Sequence, residues 1–206
     1  MSLAGNKLAG GNPKNDRVEN DFYATNPEAV ERLLYNEFFS FTSFLEPCVG
    51  EGHIVEAVQK FVNRFYSVPY WKKCNVKTLD IVDRGYPNTI VQDFLQWETE
   101  EKFDTIITNP PYSLAKEFAE KGMKLLTDDG KMALFLKIQF LEGQKRKEFF
   151  DKYPPKYIYV FRNRMATWNN GQAIDPITGK KWATTMCHAW FVWEKGNNSE
   201  PIIRWL

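Results

Sequence analysis

Hydrophobic and polar positions along the chain follow two rhythms. Short runs rich in β-branched and aromatic residues fall at 43–46, 76–80, 89–92, 103–108, 131–138, 156–161 and 187–194, and these predict strands. Helices are predicted over 27–39, 53–65, 113–126 and 143–152, where apolar residues recur at three- and four-residue spacing. The first helix is well marked: Thr25 or Asn26 can cap it, Pro27 stands in the first turn, and Glu28 and Glu31 lie near its positive end. Val30, Leu33 and Leu34 make its buried face. Strands punctuated by helices in this order predict an α/β fold with a doubly wound sheet, whose ligands sit at the carboxyl ends of the strands.

Residues 1–20 are rich in Gly, Asn and Lys and poor in large apolar side chains, so they predict a flexible arm ahead of a single domain over 21–206. One connection stands apart. Between Phe161 and Cys187 runs "RNRMATWNNGQAIDPITGKKWATTM", residues 162–186, too long and too polar for a simple turn. Connections of that length inside compact domains are usually functional or mobile.

Composition narrows the classes. A chain of 206 residues with 43% hydrophobic content fits one compact domain with a real core. No apolar run approaches membrane-spanning length, and the opening "MSLAGNKLAG" lacks the charged-then-apolar order of a secretory signal, so a soluble, cytoplasmic protein with no membrane partner is expected. Cys48, Cys74 and Cys187 are odd in number and widely spaced, which predicts reduced thiols and no metal site. With a net charge of +1 there is no global basic field, so a nucleic-acid partner would have to be held by a local patch.

Three stretches carry candidate chemistry. In "FLEPCVGEGHIVEAV", residues 44–58, an apolar run ends at Glu46 and Pro47, and Gly50 and Gly52 lead into a helix. Glycines at such a turn let a ligand approach the backbone, and the helix start offers free N–H groups. Val55 stands where a dinucleotide fingerprint needs its third glycine, which argues against a nicotinamide or flavin; a purely structural Gly-rich turn is the alternative. In "NVKTLDIVD", Asp80 closes a strand and can accept both hydroxyls of a ribose, with Asp83 as runner-up and a solvated loop aspartate as the plain alternative. In "FDTIITNPPYSLAKEF", residues 103–118, Pro110 and Pro111 must stop the strand and stiffen its end. There the Asn109 side-chain oxygen and a proline carbonyl can accept the two hydrogens of an amino group, and Tyr112 offers a stacking face to a planar substrate. A proline-ended strand with a surface tyrosine is the bland alternative.

"LEPCVGEG" followed some sixty residues later by "TNPPY" resembles the S-adenosylmethionine-dependent amino-methyltransferases, specifically the N6-adenine DNA methyltransferases of bacteria and their phages. "DFYATNP", residues 21–27, is similar to the family's N-terminal cofactor motif, and "VQDFLQW", residues 91–97, to its adenine-facing segment. The resemblance implies a Rossmann-like α/β sheet of seven strands, mostly parallel with an antiparallel last strand and helices on both faces. It implies S-adenosylmethionine as cofactor and adenine in duplex DNA, flipped out of the stack, as substrate. It assigns Tyr23 and Thr25 to the methionine end of the cofactor, Glu46, Pro47, Cys48, Gly50 and Gly52 to the turn, Asp80 to the ribose, and Asp93 and Phe94 to the cofactor's adenine. Asn109, Pro110, Pro111 and Tyr112 take the target amino group. Asn109 replaces the family's frequent aspartate, so a carboxylate base is absent, consistent with direct attack by the nitrogen.

Typical members carry a sizeable target-recognition region, and here the 162–186 connection is the sole candidate. It holds Arg162, Arg164, Lys180 and Lys181 against one acid, Asp175, with Trp168 and Trp182 interleaved, a local footprint for phosphates and stacked bases. An ordinary surface hairpin with solvated charges is the alternative. Lys145, Arg146 and Lys147 form a second candidate for phosphate contact, at a helix start where their charge opposes the dipole. So small a recognition segment implies low sequence specificity or a protein partner that supplies it. Neither His53, at a helix start, nor His188, in an apolar final strand, reads from the sequence as a general base, and Trp190 and Trp193 in that strand read as core. A protein glutamine amide poses the same planar-nitrogen problem as adenine, so glutamine methylation, adenine methylation in RNA, and a catalytically silent cofactor- and DNA-binding module stay as rival readings.

Overall fold

The computed structural model describes residues 23–65 and 69–206; the expected arm over 1–20, and Asp21 and Phe22 of the N-terminal motif, lie outside them. A two-residue strand β1 (Tyr23–Ala24) leads into helix α1 (Pro27–Asn36). Of the two caps the sequence offers, Asn26 is used: its Oδ1 accepts from Glu28 N at 3.0 Å, with Pro27 in the first turn. The chain continues through β2 (Ser43–Glu46), α2 (His53–Phe65), α3 (Pro69–Lys73), β3 (Asn75–Asp80), β4 (Ile90–Val91) and β5 (Phe103–Thr108). After β5 come α4 (Ala115–Leu125), β6 (Leu126–Lys137), α5 (Lys147–Lys152), β7 (Tyr157–Val160), β8 (Trp168–Asn169), β9 (His188–Glu194) and β10 (Ile202–Trp205).

Eight strands form the main sheet in the order β10-β7-β9-β6-β5-β2-β3-β4. The run β4, β3, β2, β5, β6 is parallel throughout, and β9 is inserted antiparallel between β6 and β7. The α/β architecture and the antiparallel His188–Glu194 strand are as predicted, but the sheet has one strand more: Ile202–Trp205 adds to the outer edge, parallel to β7. Helix α1 also ends three residues earlier than the pattern suggested, and β6 begins earlier because a bulge between its two pairings with β5 keeps Leu126 in the sheet.

Both faces of the sheet are covered, which is why its central strands read as continuous apolar runs. Period-two alternation divides each strand between two cores: Phe44, Ile107, Phe135 and Trp190 face α1 and α2, while Leu45, Ile106, Leu134 and Phe191 face the layer that contains α4. Trp190 and Trp193 are fully buried, and each indole N–H finds a carbonyl, Ala29 O and Tyr153 O, both at 2.9 Å. At the amino-terminal end of the strands, Glu37 accepts from Lys131 Nζ at 2.6 Å and from Tyr159 Oη at 2.7 Å, a buried charge fully engaged. Among the described residues, no helix is long and apolar enough to cross a membrane.

Candidate active site

The carboxyl ends of β2, β3 and β5 bring the motif residues to one edge of the sheet. After β2 the chain turns through Gly50 and Gly52, both in the left-handed region at φ 54° and 91°, and α2 opens at His53. Asp80, at the end of β3, braces this turn: its Oδ2 accepts from Gly50 N at 2.8 Å and its Oδ1 from Val82 N at 3.1 Å. The carboxylate therefore fixes the turn whatever else its remaining lone pairs accept. Tyr86, which sequence reasoning missed, lays its ring on Gly52, so closely that a Cβ there would fall 2.1 Å from the ring.

Glu46 is 1% exposed, and among the described residues its Oε2 has no hydrogen-bond partner. Burial holds its carboxyl well above the usual range, against a backbone hydrogen bond from Val55, and the nearby Asp80 charge adds to the rise. Thr25 Oγ1 is likewise buried and unsatisfied. Orphaned buried acceptors are uncommon in folded proteins; Glu46, at the entry to the Gly-rich turn, fits a site built for a polar ligand, and Thr25, just ahead of α1, offers a second unsatisfied oxygen. Cys48 Sγ lies by the Thr108 hydroxyl; burial first, then the Asp80 charge, pushes this thiol up and away from reactivity.

As the two prolines require, β5 ends at Thr108, and a short 3-10 turn over Tyr112–Leu114 leads from the loop into α4. The Asn109 amide is oriented: its Nδ2 donates to Tyr23 O at 3.1 Å. With the NH2 end committed to β1, Oδ1 is left as the acceptor. Tyr112 lies 6.0 Å from the His188 ring, and Lys137 Nζ sits 5.0 Å from its ring centroid. Burial, with a smaller contribution from Tyr23, pushes the Tyr112 phenol far above its ordinary value, so the ring stays neutral. His188 is buried, stacked on Phe135 at 5.0 Å, and bonded through Nδ1 to Met165 O at 2.9 Å. Lys137 could have been suspected as the single charge ending an apolar strand, whereas Tyr86 had no sequence signal.

Asp93 accepts from Leu95 N at 2.9 Å through Oδ1, a local turn that holds its carboxylate just beyond β4. Phe94 is not brought to the site surface: it is 2% exposed and packs on Phe118 at 4.9 Å, in the core beneath that turn.

The 162–186 connection divides into parts with different surroundings. Trp168 and Asn169, as β8, pair antiparallel with Ala24 and Tyr23, and the Trp168 ring meets His53 edge-on at 5.5 Å. Gly171 lies against the Glu51 carboxylate, leaving no room for a side chain. The connection is thus stitched across the Gly-rich turn. Lys180, Lys181 and Trp182 belong to a separate small hairpin, closed by the Ile174–Lys181 bridge and a bond from Trp182 Nε1 to Gln172 O at 2.6 Å. Arg162 and Arg164 instead line a cavity of about 240 Å3 together with His188. The second basic candidate is locally occupied: Arg146 donates to Glu142 O and lies over Phe140, and Lys147 pairs with Asp151.

No family model matches the sequence. It is 30% identical to the type II methyltransferase M.CvrRI of Paramecium bursaria Chlorella virus XZ-6E over 48% of this chain and 26% of that protein. It is 27% identical to the release factor glutamine methyltransferase of Streptococcus pneumoniae over 70% of this chain and 65% of that protein. The chain therefore spans about a quarter of the viral enzyme and just under two thirds of the other. Among solved structures, one assigned as the modification subunit of a type I restriction enzyme of Vibrio vulnificus superposes with a TM-score of 0.62 at 12% identity, over 92% of this chain and 48% of its own. One assigned to the class I S-adenosylmethionine-dependent methyltransferases, from Listeria monocytogenes, gives 0.54 at 13% identity, over 87% and 62%. The fold is that of the class I S-adenosylmethionine-dependent methyltransferases. Both sequence relatives are methyltransferases by name, in line with the resemblance drawn from the motifs.

Proposed function

We propose that residues 21–206 form one methyltransferase domain that uses S-adenosylmethionine to methylate the N6 amino group of adenine in DNA. The observation that carries this reading is the fixed amide of Asn109, whose NH2 is tied to Tyr23 O so that Oδ1 is the acceptor beside Pro110 and Tyr112. Adenine N6 is a poor nucleophile because its lone pair is delocalised into the ring. Asn109 Oδ1 and the Pro110 carbonyl accept its two hydrogens and draw the nitrogen toward tetrahedral geometry. Tyr112 stacks on the extruded base, and its raised phenol keeps that face uncharged. With no carboxylate at position 109, the surplus proton leaves to solvent.

When bound, S-adenosylmethionine supplies the electrophilic methyl group. Gly50, Gly52, Pro47 and Cys48 shape its turn, Glu46 and Thr25 offer it unsatisfied oxygens, Asp80 takes the ribose, Asp93 the adenine amino group, and Tyr23 flanks the methionine end. Phe94 supports Asp93 from the core. The 162–186 connection is the target-recognition element, through Arg162, Arg164 and Trp168, with Lys180, Lys181 and Trp182 at its outer hairpin.

A second reading, methylation of a protein glutamine amide, is favoured by the release-factor relative, which aligns with more of this chain than the viral one does. Labelled methyl transfer to unmethylated duplex DNA, structured RNA and glutamine-containing protein, each repeated with Asn109→Ala, separates them. Label in DNA as N6-methyladenine, lost in the variant, is the expected result. Label confined to RNA or protein overturns the substrate, and cofactor binding without transfer to any of the three overturns the enzyme.

A further inference from the structure

The arginines of this protein are not equally occupied. Arg32 pairs with Glu28, Arg64 donates to Tyr35 Oη, Arg146 to the Glu142 carbonyl, and Arg204 to Tyr159 Oη while lying over the Tyr157 ring. Arg84 has an interaction of its own. Among the described residues, Arg162 and Arg164 stand out in having no ion pair and no side-chain hydrogen bond. A guanidinium offers five donors in a rigid fork, and two such groups left unpaired around one cavity make a ready anion site.

Position adds to this. The cavity lies where β7 ends and β9 begins, at the same sheet edge as the Asn109–Tyr112 loop, because His188 opposite Lys137 closes the β6–β9 ladder there. His188 forms part of its wall and lies 6.0 Å from the Tyr112 ring, so one side chain separates the cavity from the stacking face. The charges of Lys137 and Arg164 both bear on His188, and none of the residues lining the cavity is acidic. At about 240 Å3 it is smaller than the ~300–1,000 Å3 typical of small-molecule sites. It suits one tetrahedral anion and an attached sugar.

We propose that Arg162 and Arg164 form a phosphate cradle that holds a phosphodiester of the polynucleotide next to the base stacked on Tyr112. The inference rests on the nucleic-acid reading above and deepens it. The cradle fixes the register of the strand, while Asn109 and Tyr112 receive the base. It also distinguishes these two cations from Lys180 and Lys181, which carry the same charge on the separate hairpin.

The test is fluorescence anisotropy of labelled duplex DNA titrated with the full chain across a range of salt concentrations, for the wild type, Arg162→Ala/Arg164→Ala, and the charge-matched Lys180→Ala/Lys181→Ala. Each phosphate contact contributes roughly 0.9 to the slope of log affinity against log salt. The arginine pair is expected to reduce that slope by about 2 and affinity at ~0.1 M salt by one to two orders of magnitude. Arg162→Lys/Arg164→Lys is expected to keep the slope, and S-adenosylmethionine affinity, measured by calorimetry, reports that each variant is folded. An unchanged slope in the arginine variant, or a larger loss in the lysine variant, overturns the cradle. DNA binding that depends on the arginines with no methyl transfer by the wild type leaves the cradle standing and removes the adenine methylation reading. Transfer to DNA with arginine-independent binding does the reverse, and no DNA binding by the wild type removes both.

Discussion

Replacing Gly52 with alanine tests whether the turn after β2 is shaped for close approach or merely accommodates glycine. Two features act on the same atom. The backbone sits at φ +91°, and the added Cβ would fall 2.1 and 2.2 Å from Tyr86 Cδ2 and Cε2, against about 3.5–4.0 Å for ordinary carbon contact. The left-handed conformation costs an L-residue about 1–2 kcal/mol. Driving the Tyr86 ring aside adds about 1–3 kcal/mol of overpacking. Together they destabilise the fold by about 2–5 kcal/mol, and at about 2–4 °C per kcal/mol for a domain of this size the Tm falls by about 4–20 °C. Cofactor affinity is expected to fall at least about tenfold, the equivalent of 1.4 kcal/mol. Thermal unfolding and calorimetric titration with S-adenosylmethionine read both quantities. The double variant with Tyr86→Ala separates the causes: removing the ring should relieve the overpacking and leave only the conformational cost. A Gly52→Ala protein as stable as wild type, or a loss of the same size with and without Tyr86, would refute the argument.

Asn109→Ala should lower the methyl-transfer rate by about 10²–10³, the scale for losing one preorganised polar contact, while cofactor affinity changes less than twofold; a comparable loss of cofactor binding would move Asn109 out of the target pocket. Glu46 carries a pH signature. Because its folded-state pKa is raised, ionisation opposes folding: stability of the cofactor-free protein is intact below about pH 4.3 and declines as pH rises above it until the folded-state value is passed. Glu46→Gln should remove that slope, raise the cofactor-free Tm near neutrality and weaken cofactor binding; superimposable Tm–pH curves for the two proteins contradict this. Glu37→Ala, which strips Lys131 and Tyr159 of a buried acceptor at the opposite end of the strands, should cost about 2–4 kcal/mol in denaturant unfolding and leave cofactor affinity untouched.

The parts of the fold that could be read from sequence are those whose side chains alternate between two buried layers. Ile106 and Ile107, or Leu134 and Phe135, announce a strand because both neighbours must be apolar when both faces are covered. Ile202–Trp205 escaped because it is an edge strand, exposed along its whole length, whose existence depends on β7 beside it. The two-residue strands β1 and β8 are too short for any periodicity; only tertiary pairing defines them. In the candidate site, local motifs were legible: a glycine turn, a strand-ending aspartate, a proline-locked loop. Contacts made across the fold, such as Tyr86 on Gly52 or His188 beside Tyr112, depend on where distant elements come to rest and leave no mark in their own neighbourhoods.

The pairing of Tyr23 with Asn169, together with the bond from Asn109 to Tyr23 O across 86 residues, also bears on when the protein becomes competent during its own synthesis. Tyr23 leaves the ribosome well before its strand partner, which follows β7. Closing loops of this size costs entropy that other contacts must offset, so the segment that orients the asparagine is expected to settle after the local turn and the proline loop. A chain made only as far as β7 lacks both Asn169, the partner of Tyr23, and β9, which joins β7 to the sheet, so the strand pairing behind the aligned amide is completed together with that half of the sheet.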